Sequence, residues 1–316
     1  MSDTVPKVRR LPALLLLALG TGCAPRDAVV RSEPTVFAAG SLARPLRAAL
    51  DSIAAAGGTT VRLEIMGSRE LLRAITSLGR TPDLVVTADA DELEAALMPS
   101  WISSSTVFAR NRVVLALSPK RAISDTVTTI NWADVASSGA LRIARADPGR
   151  APLGFRTQLV WQLAETALQR PGLAARLAAA SPEELVRGNE SDLAALLESG
   201  DADAAWCYES LARSLDVPYV RIGDAVDLGS DADSVAYRAA SVRIPGARPD
   251  DSVTVTGAPI RYSIAVLKNG PDMIGATMLR ARLLDSNSVR IMRRIGLDVL
   301  DRPRVVTGAA RPSLRQ

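Results

Sequence analysis

The feature that most constrains the fold of this 316-residue chain is a regular alternation of short apolar runs with segments of helical periodicity. Residues 36–39 form the first apolar run, residues 42–56 carry the pattern of an amphipathic helix, and residues 84–86 form a further run. Strands that alternate with helices are typical of βαβ units, whose strands run parallel. The alternation therefore predicts an α/β protein with parallel-dominated sheets.

The alternation of strands and helices starts again near Asn131, and the length of the chain also suggests two domains or lobes. Strong strand patterns at residues 204–208 and 260–267 are separated by a loop-rich segment at residues 223–257. We expect the last part of the chain to return to the first lobe. The predicted lobes are residues 35–115 with residues 262–316, and residues 116–261.

The first residues carry the pattern of an export signal. Three basic residues among the first ten precede an apolar run at residues 11–19, which is too short to cross a bilayer. Small residues then lead to Cys23, and this junction resembles the lipobox of bacterial lipoproteins, with Gly20 where that motif prefers Leu. We predict a signal peptide at residues 1–22 and a tether at residues 23–34 that begins with a lipidated Cys23. Secretion without lipidation is the alternative.

The composition excludes several classes of function. The sequence has no histidine, which excludes a Ser-His-Asp or Cys-His relay and a zinc site. Once Cys23 is acylated, Cys207 is the remaining cysteine, so no intramolecular disulfide can form. Removal of residues 1–22 takes away three basic residues and one acid, which lowers the net charge from +4 to +2. This weak bias, together with 3% aromatic residues, argues against a nucleic-acid partner.

Two strand-to-helix junctions have the same composition, and we call them the first Gly-Ser junction (Gly40-Ser41) and the second Gly-Ser junction (Gly67-Ser68). At each junction, the free amides at the start of a helix and a serine hydroxyl point toward one place, which suits an anion. Consecutive βα units bring such junctions together at the carboxyl edge of a parallel sheet. The sequence predicts either a shared anion pocket or two serines that only cap their helices, and it favours neither interpretation over the other.

Two further segments offer ligand-binding groups. The turn at residues 146–156 delivers a helix that we predict at about residues 155–168, and backbone amides near Leu153 can reach a cleft, although the turn also fits a loop shaped only by its prolines. Residues 189–192 carry the signature of a helix start and include Glu190, which is a hydrogen-bond acceptor or simply a partner of the helix dipole. Tyr208 ends a predicted strand and can donate a phenolic hydrogen bond.

Taken in order, these segments resemble the tungstate- and molybdate-binding proteins of ABC transporters, within the type II periplasmic binding proteins. The resemblance runs from about residue 35 to residue 303. The segments that carry it are residues 39–42 (Ala-Gly-Ser-Leu), 67–68 (Gly-Ser), 82–89, 108–111, 113–116, 131–132, 154–156, 162–165, 196–200 and 256–262. The resemblance implies two α/β lobes that are joined by two crossing strands and close on an oxyanion in a central cleft.

The resemblance also implies which residues contact the ligand. They are Ser41, Ser68, the backbone around Ala151 to Leu153, Glu190 and Tyr208. In the tungstate-type branch two carboxylates complete a six-coordinate metal, and Glu190 stands at the position of one of them. Ala151 replaces the other. We therefore expect a tetrahedral ion that is held by hydroxyls and amides.

The resemblance thus predicts the solute-binding component of an ABC importer, which binds tungstate or molybdate, needs no cofactor and is not an enzyme. A monomer on the periplasmic or extracytoplasmic face, a lipid anchor and a permease in the inner membrane belong to the same prediction. Sulfate or phosphate is the alternative ligand, since a protonated phosphate needs an acceptor such as Glu190. A serine-dependent hydrolase is the alternative of another class, and the absence of a Gly-x-Ser-x-Gly elbow argues against it.

Overall fold

The computed structural model describes residues 33–245 and 252–308. The predicted signal peptide, Cys23 and most of the predicted tether lie outside these residues. Within the described ranges, no helix is long and apolar enough to cross a membrane.

The described residues form thirteen strands and eleven α-helices, with 3₁₀ turns at Gly40–Leu42 and Glu183–Leu185. The strands are β1 (Thr35–Ala39), β2 (Arg62–Met66), β3 (Leu84–Thr87), β4 (Ser104–Asn111), β5 (Val113–Leu117), β6 (Ile143–Ala146), β7 (Val186–Arg187), β8 (Ala204–Tyr208), β9 (Tyr219–Arg221), β10 (Ser241–Pro245), β11 (Ser252–Thr256), β12 (Ile260–Val266) and β13 (Asp298–Thr307). The helices are α1 (Ala43–Ala55), α2 (Ser68–Thr76), α3 (Ala90–Leu97), α4 (Trp132–Ser137), α5 (Pro152–Ala167), α6 (Leu173–Ala179), α7 (Glu190–Ser199), α8 (Glu209–Leu215), α9 (Ser234–Tyr237), α10 (Met273–Leu283) and α11 (Ser286–Arg294).

Several predicted elements are confirmed with small shifts in their bounds. The strand predicted at residues 204–208 is β8, and the helix predicted at residues 155–168 is α5, which begins three residues earlier. The earlier start has a simple cause, because Pro152 fits the first position of a helix, where its missing N–H has no partner to lose. The segment predicted to be loop-rich contains α9 and an antiparallel pair of strands, β10 and β11.

Strands β13, β4, β12, β3, β1 and β2 form, in that order, a six-stranded sheet within the described residues. We call it the first sheet. In it β1 pairs in parallel with β2 on one side and with β3 on the other. The last residues of β1 and β2, Ala39 and Met66, are register partners. Both Gly-Ser junctions therefore leave the sheet at the same edge, as the sequence predicted.

Strands β7, β6, β8, β5 and β9 form, in that order, a five-stranded sheet within the described residues, which we call the second sheet. In it β6 pairs in parallel with β7 and β8, whereas β5 is antiparallel to β8 and β9. The carboxyl ends of β6, β7 and β8 lead into the turn at residues 147–151, into α7 and into α8. The candidate ligand groups of the second half of the chain therefore share one edge of this sheet.

The chain passes from the first sheet to the second at Arg112, between β4 and β5, and returns before β12. All of β5 pairs within the second sheet, including residues 113–115, which we predicted in the first lobe. Likewise Ile260 and Arg261, predicted in the second lobe, pair with β4 of the first sheet. The division into lobes itself stays a prediction.

The balance of strand directions differs from the expected dominance of parallel pairs. In the two sheets four strand pairs are parallel and five are antiparallel within the described residues. The antiparallel pairs all involve β4, β5, β12 or β13, which include the strands on either side of the passages between the sheets. Apolar periodicity identifies a strand but carries no information about the direction of its neighbour. The sequence therefore could not reveal this mixture.

The first sheet is covered on both faces. Side chains of β1 alternate, so that Val36 and Ala38 join one apolar cluster with residues of α1, α10 and α11. Phe37 points to the opposite face and joins a second cluster with residues of α2 and α3. Helices on both faces of the sheet fix its carboxyl edge, which carries the two Gly-Ser junctions.

A separate apolar cluster surrounds the second sheet and is built around tryptophans. Trp206 of β8 is fully buried and makes edge-to-face contacts with Trp132 and Trp161, at ring-centroid distances of 6.0 and 6.1 Å. Such pairs add about 0.5–1.5 kcal/mol to the free energy gained by burying the rings. This packing holds the end of β8, and with it Tyr208, in a fixed position.

Candidate functional site

The two Gly-Ser junctions lie side by side, and neither serine caps its helix. The first junction forms a 3₁₀ turn that is preceded by Ala39, and Ser41 lies inside this turn. Gly67 precedes α2, so Ser68 is the first residue of that helix, and neither element has a side-chain cap. Both serines are buried, at 6% and 1% exposure. Helix capping, the alternative that the sequence left open, is therefore wrong.

A chain of hydrogen bonds that begins at Asn111 holds the Ser41 hydroxyl. The amide nitrogen of Asn111 lies 2.6 Å from the hydroxyl of Tyr262, which lies 3.0 Å from Ser41 Oγ. Since an amide nitrogen can only donate, the tyrosine oxygen accepts at that contact and donates its own hydrogen to Ser41. Ser41 accepts this bond, so its single hydrogen remains available for a ligand.

The Ser68 hydroxyl is held by the backbone. Its Oγ accepts the N–H of Ala88, the residue after β3, at 3.2 Å. A backbone N–H is a donor only, so the hydrogen of Ser68 also remains available.

The Tyr208 hydroxyl is oriented by Arg156 of α5. Nη1 of this buried arginine donates to the Tyr208 oxygen and to the carbonyl of Ala88, both at 2.8 Å, and Nη2 lies 3.0 Å from Asp89. Burial opposes the charge of Arg156, but Tyr208 and Asp89 outweigh it and raise the pKa of the guanidinium. Because a guanidinium only donates, Tyr208 likewise keeps its hydrogen for another partner.

These contacts bring the three hydroxyls into one region. Arg156 and Ala88 connect Tyr208 with Ser68 through the bonds just described. The rings of Tyr208 and Tyr262 meet edge to face at 6.3 Å, which connects Tyr208 with the chain of bonds that ends at Ser41. A group of hydroxyls that all keep a free hydrogen is suited to bind oxygen atoms that carry no proton.

The start of α5 lies next to the second Gly-Ser junction. The side chains of Ala151 and Leu153 are fully buried in the apolar cluster of the second sheet, so only their backbone groups can face a ligand. The first amides of a helix have no partner within that helix. Gly67 lies directly against the backbone carbonyl of Arg150. The structure therefore places this helix start beside Ser68, and its contact with a ligand stays a prediction.

Glu190 is the first residue of α7 and is 2% exposed. Its carboxylate lies against the first Gly-Ser junction, because a Cβ atom built on Gly40 would be 2.5 Å from Glu190 Oε2. Burial raises the pKa of Glu190, and its own backbone N–H and Arg156 oppose this effect. A neutral Glu190 adds a fourth donor to the site, whereas an ionised Glu190 is an acceptor.

Charged side chains of the first sheet's helices surround the second junction. Arg69 follows Ser68 and pairs with Glu92 at 3.0 Å, while Asp89 caps α3 and pairs with Arg156. Burial and the nearby Asp89 raise the pKa of Glu92 to about 7, against the opposite effect of Arg69. A partly neutral Glu92 leaves this group of two arginines and two acids with a net positive charge near neutral pH, which favours an anion.

Sequence reasoning assigned no role to Arg156, Tyr262 or Asn111, although all three lie in the segments that carried the resemblance. Arg156 had a detectable signal, since it is the one charged residue of α5 before Glu165. Asn111 and Tyr262 had none, because their roles depend on contacts between distant parts of the chain. Within the described residues, no group of three or more His, Cys, Asp or Glu side chains could hold a metal cation.

Two α/β halves whose loops converge on a buried set of hydrogen-bond donors define a two-lobed binding protein. The chain belongs to the family of bacterial extracellular solute-binding proteins, whose model matches residues 34–298. A solute-binding protein of Petrotoga mobilis is 31% identical over 87% of this chain and 86% of its own length. A putative ABC transporter molybdenum-binding protein of Haloferax volcanii is 34% identical over 78% of this chain and 76% of its own length.

Solved structures share the fold at low sequence identity. The periplasmic molybdate-binding protein of Azotobacter vinelandii superposes with a TM-score of 0.61 and 18% identity, over 85% of this chain and 100% of that chain. The sulfate-binding protein SubI of Mycobacterium tuberculosis superposes with a TM-score of 0.55 and 14% identity, over 85% of this chain and 87% of that chain. The predicted fold class, a type II periplasmic binding protein, is confirmed.

Proposed function

We propose that the protein is the solute-binding component of an ABC importer and that it binds molybdate or tungstate at the two Gly-Ser junctions. The observation that carries the proposal is the direction of the hydrogen bonds at Ser41, Ser68 and Tyr208. Each oxygen accepts a bond from the protein and keeps one hydrogen for a ligand. Molybdate, tungstate and sulfate carry no proton near neutral pH, so all their oxygens accept such hydrogens.

The charge of the surroundings supports an anion. The guanidinium of Arg156 is buried behind Tyr208, and the starts of α5 and α7 add the positive ends of two helix dipoles. The relative of Haloferax volcanii, whose name states that it binds molybdenum, supports the choice of a group-six oxyanion.

These residues favour an oxyanion whose metal keeps its four oxygens over one whose metal binds two further ligands from the protein. Ala151 offers no carboxylate, and the nearby Asp147 accepts the N–H of Gly149 at 2.7 Å, so its carboxylate is engaged in its own turn. Glu190 is then the carboxylate that lies against the first Gly-Ser junction, whereas Asp89 and Glu92 near the second junction are paired with arginines. One carboxylate is too few for the six-coordinate arrangement, so we expect a tetrahedral ion that is held by hydroxyls and amides.

Sulfate or phosphate is the alternative ligand of the same site. Sulfate has the same donor requirement as molybdate and differs mainly in size. A protonated phosphate needs an acceptor for its hydroxyl, which only an ionised Glu190 supplies among the groups described above. A serine-dependent hydrolase is less favoured, since Ser41 accepts from a tyrosine hydroxyl and Ser68 from a backbone N–H, so neither serine gives its hydrogen to a base in these contacts.

The remaining parts of the proposal concern the cell envelope. A signal peptide at residues 1–22 and a lipidated Cys23 would hold the monomeric chain on the outer side of the inner membrane or on the outer membrane. An ABC permease would take the ion from it. Mass spectrometry of the protein from a bacterial host tests the anchor, because acylation adds a diacylglycerol mass to a chain that begins at Cys23.

Calorimetry and thermal unfolding with molybdate, tungstate, sulfate and phosphate test the ligand. A ligand at a thousandfold its dissociation constant adds about 4 kcal/mol to the free energy of unfolding, so a true substrate is readily detected. We expect a large response to molybdate and tungstate. A response to sulfate or phosphate alone would move the assignment to the alternative, and no response to any of the four would overturn the oxyanion proposal.

A further inference from the structure

Asn111 lies where the chain passes from the first sheet to the second. It is the last residue of β4, one residue before the chain enters the second sheet, and is 5% exposed. Its side chain reaches Tyr262 of β12 in the first sheet and Ser210 of α8, which follows the second sheet's β8. It therefore contacts both halves of the protein without belonging to the predicted ligand contacts.

The orientation of the Asn111 amide is fixed by groups that can only donate. Its oxygen accepts the backbone N–H of Arg112 at 3.0 Å and that of Ser210 at 3.3 Å. The nitrogen must therefore point the other way, toward the hydroxyls of Ser210 and Tyr262, each at 2.6 Å. A flipped amide would place its N–H groups against two backbone N–H groups and lose both of those bonds, although the two hydroxyls could then donate to its oxygen.

This orientation determines the direction of every bond that follows. Tyr262 accepts from Asn111, which leaves its one hydrogen for Ser41, and Ser41 accepts that hydrogen and keeps its own for a ligand. Two backbone N–H groups thus determine, through three side chains, that Ser41 faces the ligand with a hydrogen. Burial raises the pKa of Tyr262 to about 12, so this hydroxyl keeps its hydrogen at neutral pH.

We propose that Asn111 is a positioning residue that sets the selectivity of the site against protonated oxyanions. The inference rests on the proposed function. With Ser41 fixed as a donor, a ligand hydroxyl cannot point its hydrogen at Ser41, because two donors would then face each other. Sulfate and molybdate meet the requirement at every oxygen. Hydrogen phosphate must turn its hydroxyl elsewhere or lose a bond.

The substitution Asn111→Asp tests the direction of the chain of bonds while keeping the shape of the side chain. One carboxylate oxygen still accepts the two backbone N–H groups, and these bonds favour its ionised form. The other oxygen can only accept, so Tyr262 must donate to it and accept from Ser41. Ser41 then presents a lone pair to the ligand, which suits the hydroxyl of hydrogen phosphate.

The measurement is the ratio of the dissociation constants of phosphate and sulfate at pH 8, obtained by displacement of molybdate from the purified exported protein. Both competitors are then mainly dianions, so the negative charge that the substitution N111D introduces weakens both and largely cancels in the ratio. We expect this ratio to fall at least tenfold in N111D, which corresponds to about 1.4 kcal/mol. If phosphate does not displace molybdate from the parent protein, the highest phosphate concentration used gives a lower bound on its dissociation constant. The ratio for N111D should then fall below the ratio calculated from this bound.

Ser210→Ala is the matched control. It removes the other partner of the same amide nitrogen at the same distance of 2.6 Å, together with a contact between Ser210 and Tyr262, but leaves the Asn111–Tyr262 and Tyr262–Ser41 bonds in place. We expect the ratio to stay within about threefold of the parent value. A fall in S210A equal to that in N111D would overturn the proposal, since general loosening would then explain both.

Tyr262→Phe provides a second variant in case N111D does not fold, as judged by its thermal unfolding. It removes the donor to Ser41, whose hydroxyl can then rotate and accept from a ligand, so the ratio should fall by about threefold to tenfold. A parent-like ratio in every folded variant that alters the relay would overturn the role of Asn111 and leave the proposed function intact. A parent protein that binds none of the oxyanions would overturn both.

Discussion

The two Gly-Ser junctions share one sequence pattern, yet the structure holds them by different means. At the first, Ser41 is oriented by the side chain of Tyr262, 221 residues away, and Gly40 lies against a side-chain carboxylate. At the second, Ser68 is oriented by a backbone N–H 20 residues away, and Gly67 lies against a backbone carbonyl. The first junction therefore depends on side chains that can rearrange, whereas the second depends on backbone that cannot.

Two arginines that link the halves of the protein extend this comparison. Near the second junction, the buried Arg156 binds Asp89 and the carbonyl of Ala88. Near the first, Arg44 of α1 lies 3.1 Å from the carbonyl of Ser214 and 3.6 Å from Glu198, with 49% of its side chain exposed. The second junction is thus supported by a buried charge and the first by a solvated one.

The largest effect is expected at the buried arginine. Arg156→Met removes the partner of Asp89 and the donor to Tyr208, and loss of one partner of a buried pair costs about 3–5 kcal/mol. Urea unfolding of the ligand-free protein measures this loss. A cost below about 1 kcal/mol would show that water replaces the guanidinium and that the pair is not effectively buried.

The next-largest effect is a loss of ligand affinity, which should be greater for a substitution at Gly67 than for one at Gly40. In Gly67→Ala the new methyl group meets the backbone carbonyl of Arg150, so the two halves cannot approach, and affinity for molybdate should fall about 100-fold or more. Gly40→Ala meets the Glu190 carboxylate, whose side chain can move, and should lose only about tenfold. Calorimetry measures both values, with the unfolding temperatures of the ligand-free variants as the control. Equal losses would contradict the distinction between side chain and backbone.

The third-largest effect is expected from substitution of the two serines. Ser68→Ala and Ser41→Ala each remove one hydrogen bond to a charged ligand, which is worth about 1.5–3 kcal/mol of binding free energy. They should differ in the stability of the ligand-free protein. Ser68→Ala leaves the buried N–H of Ala88 without its partner, at a cost of about 1–3 kcal/mol, whereas the Tyr262 hydroxyl left by Ser41→Ala can rotate. Chemical unfolding of both variants tests this order.

The pH dependence of binding tests the role of Glu190. Its pKa is raised, so the neutral form is favoured at low pH, and a dianion should bind less tightly as the pH rises through that pKa. We expect the affinity for molybdate to fall with rising pH in the parent protein and to be nearly constant in Glu190→Gln. An affinity that rises with pH instead would indicate that the ionised carboxylate is a ligand of the metal.

The smallest effect is expected at the solvated arginine. Arg44 and Glu198 line a cavity of about 120 Å³ that also contacts Gly40 and Ser41. Exposed ion pairs contribute about 0.2–1 kcal/mol, so Arg44→Ala should speed ligand release only by about twofold to fivefold. Stopped-flow release of molybdate at low and high salt measures this change, which salt should abolish. A salt-independent change would point to lost packing rather than lost charge.

Much of the site could be predicted because it lies where strands end. Glycine and serine at the ends of two predicted strands identified both junctions, and the rule that parallel strands share a carboxyl edge brought them together. The helix start that contains Glu190 was found from the helix-start signature of residues 189–192. The burial of Glu190 and its contact with Gly40 were not predictable, since no local pattern reveals what faces a surface acid across a gap.

The prediction that parallel strand pairs dominate was wrong for a similar reason. The direction of β4, β5, β12 and β13 depends on where the chain passes between the sheets, and strand periodicity is the same for both directions. The role of Asn111 was hidden because asparagine at a strand end has many possible functions. Only the contact with Tyr262, 151 residues away, gives it one.

The sequence by itself determined many of the strands and helices, the two Gly-Ser junctions and the exclusion of histidine chemistry, because these follow from local composition and periodicity. The tertiary structure alone decided which atom donates in each hydrogen bond, which acid is buried and which glycine faces backbone. The physical reason is that hydrogen-bond direction and desolvation are properties of contacts between distant segments. Ser41 and Ser68 are equivalent in the sequence and become different only through Tyr262 and the backbone of Ala88.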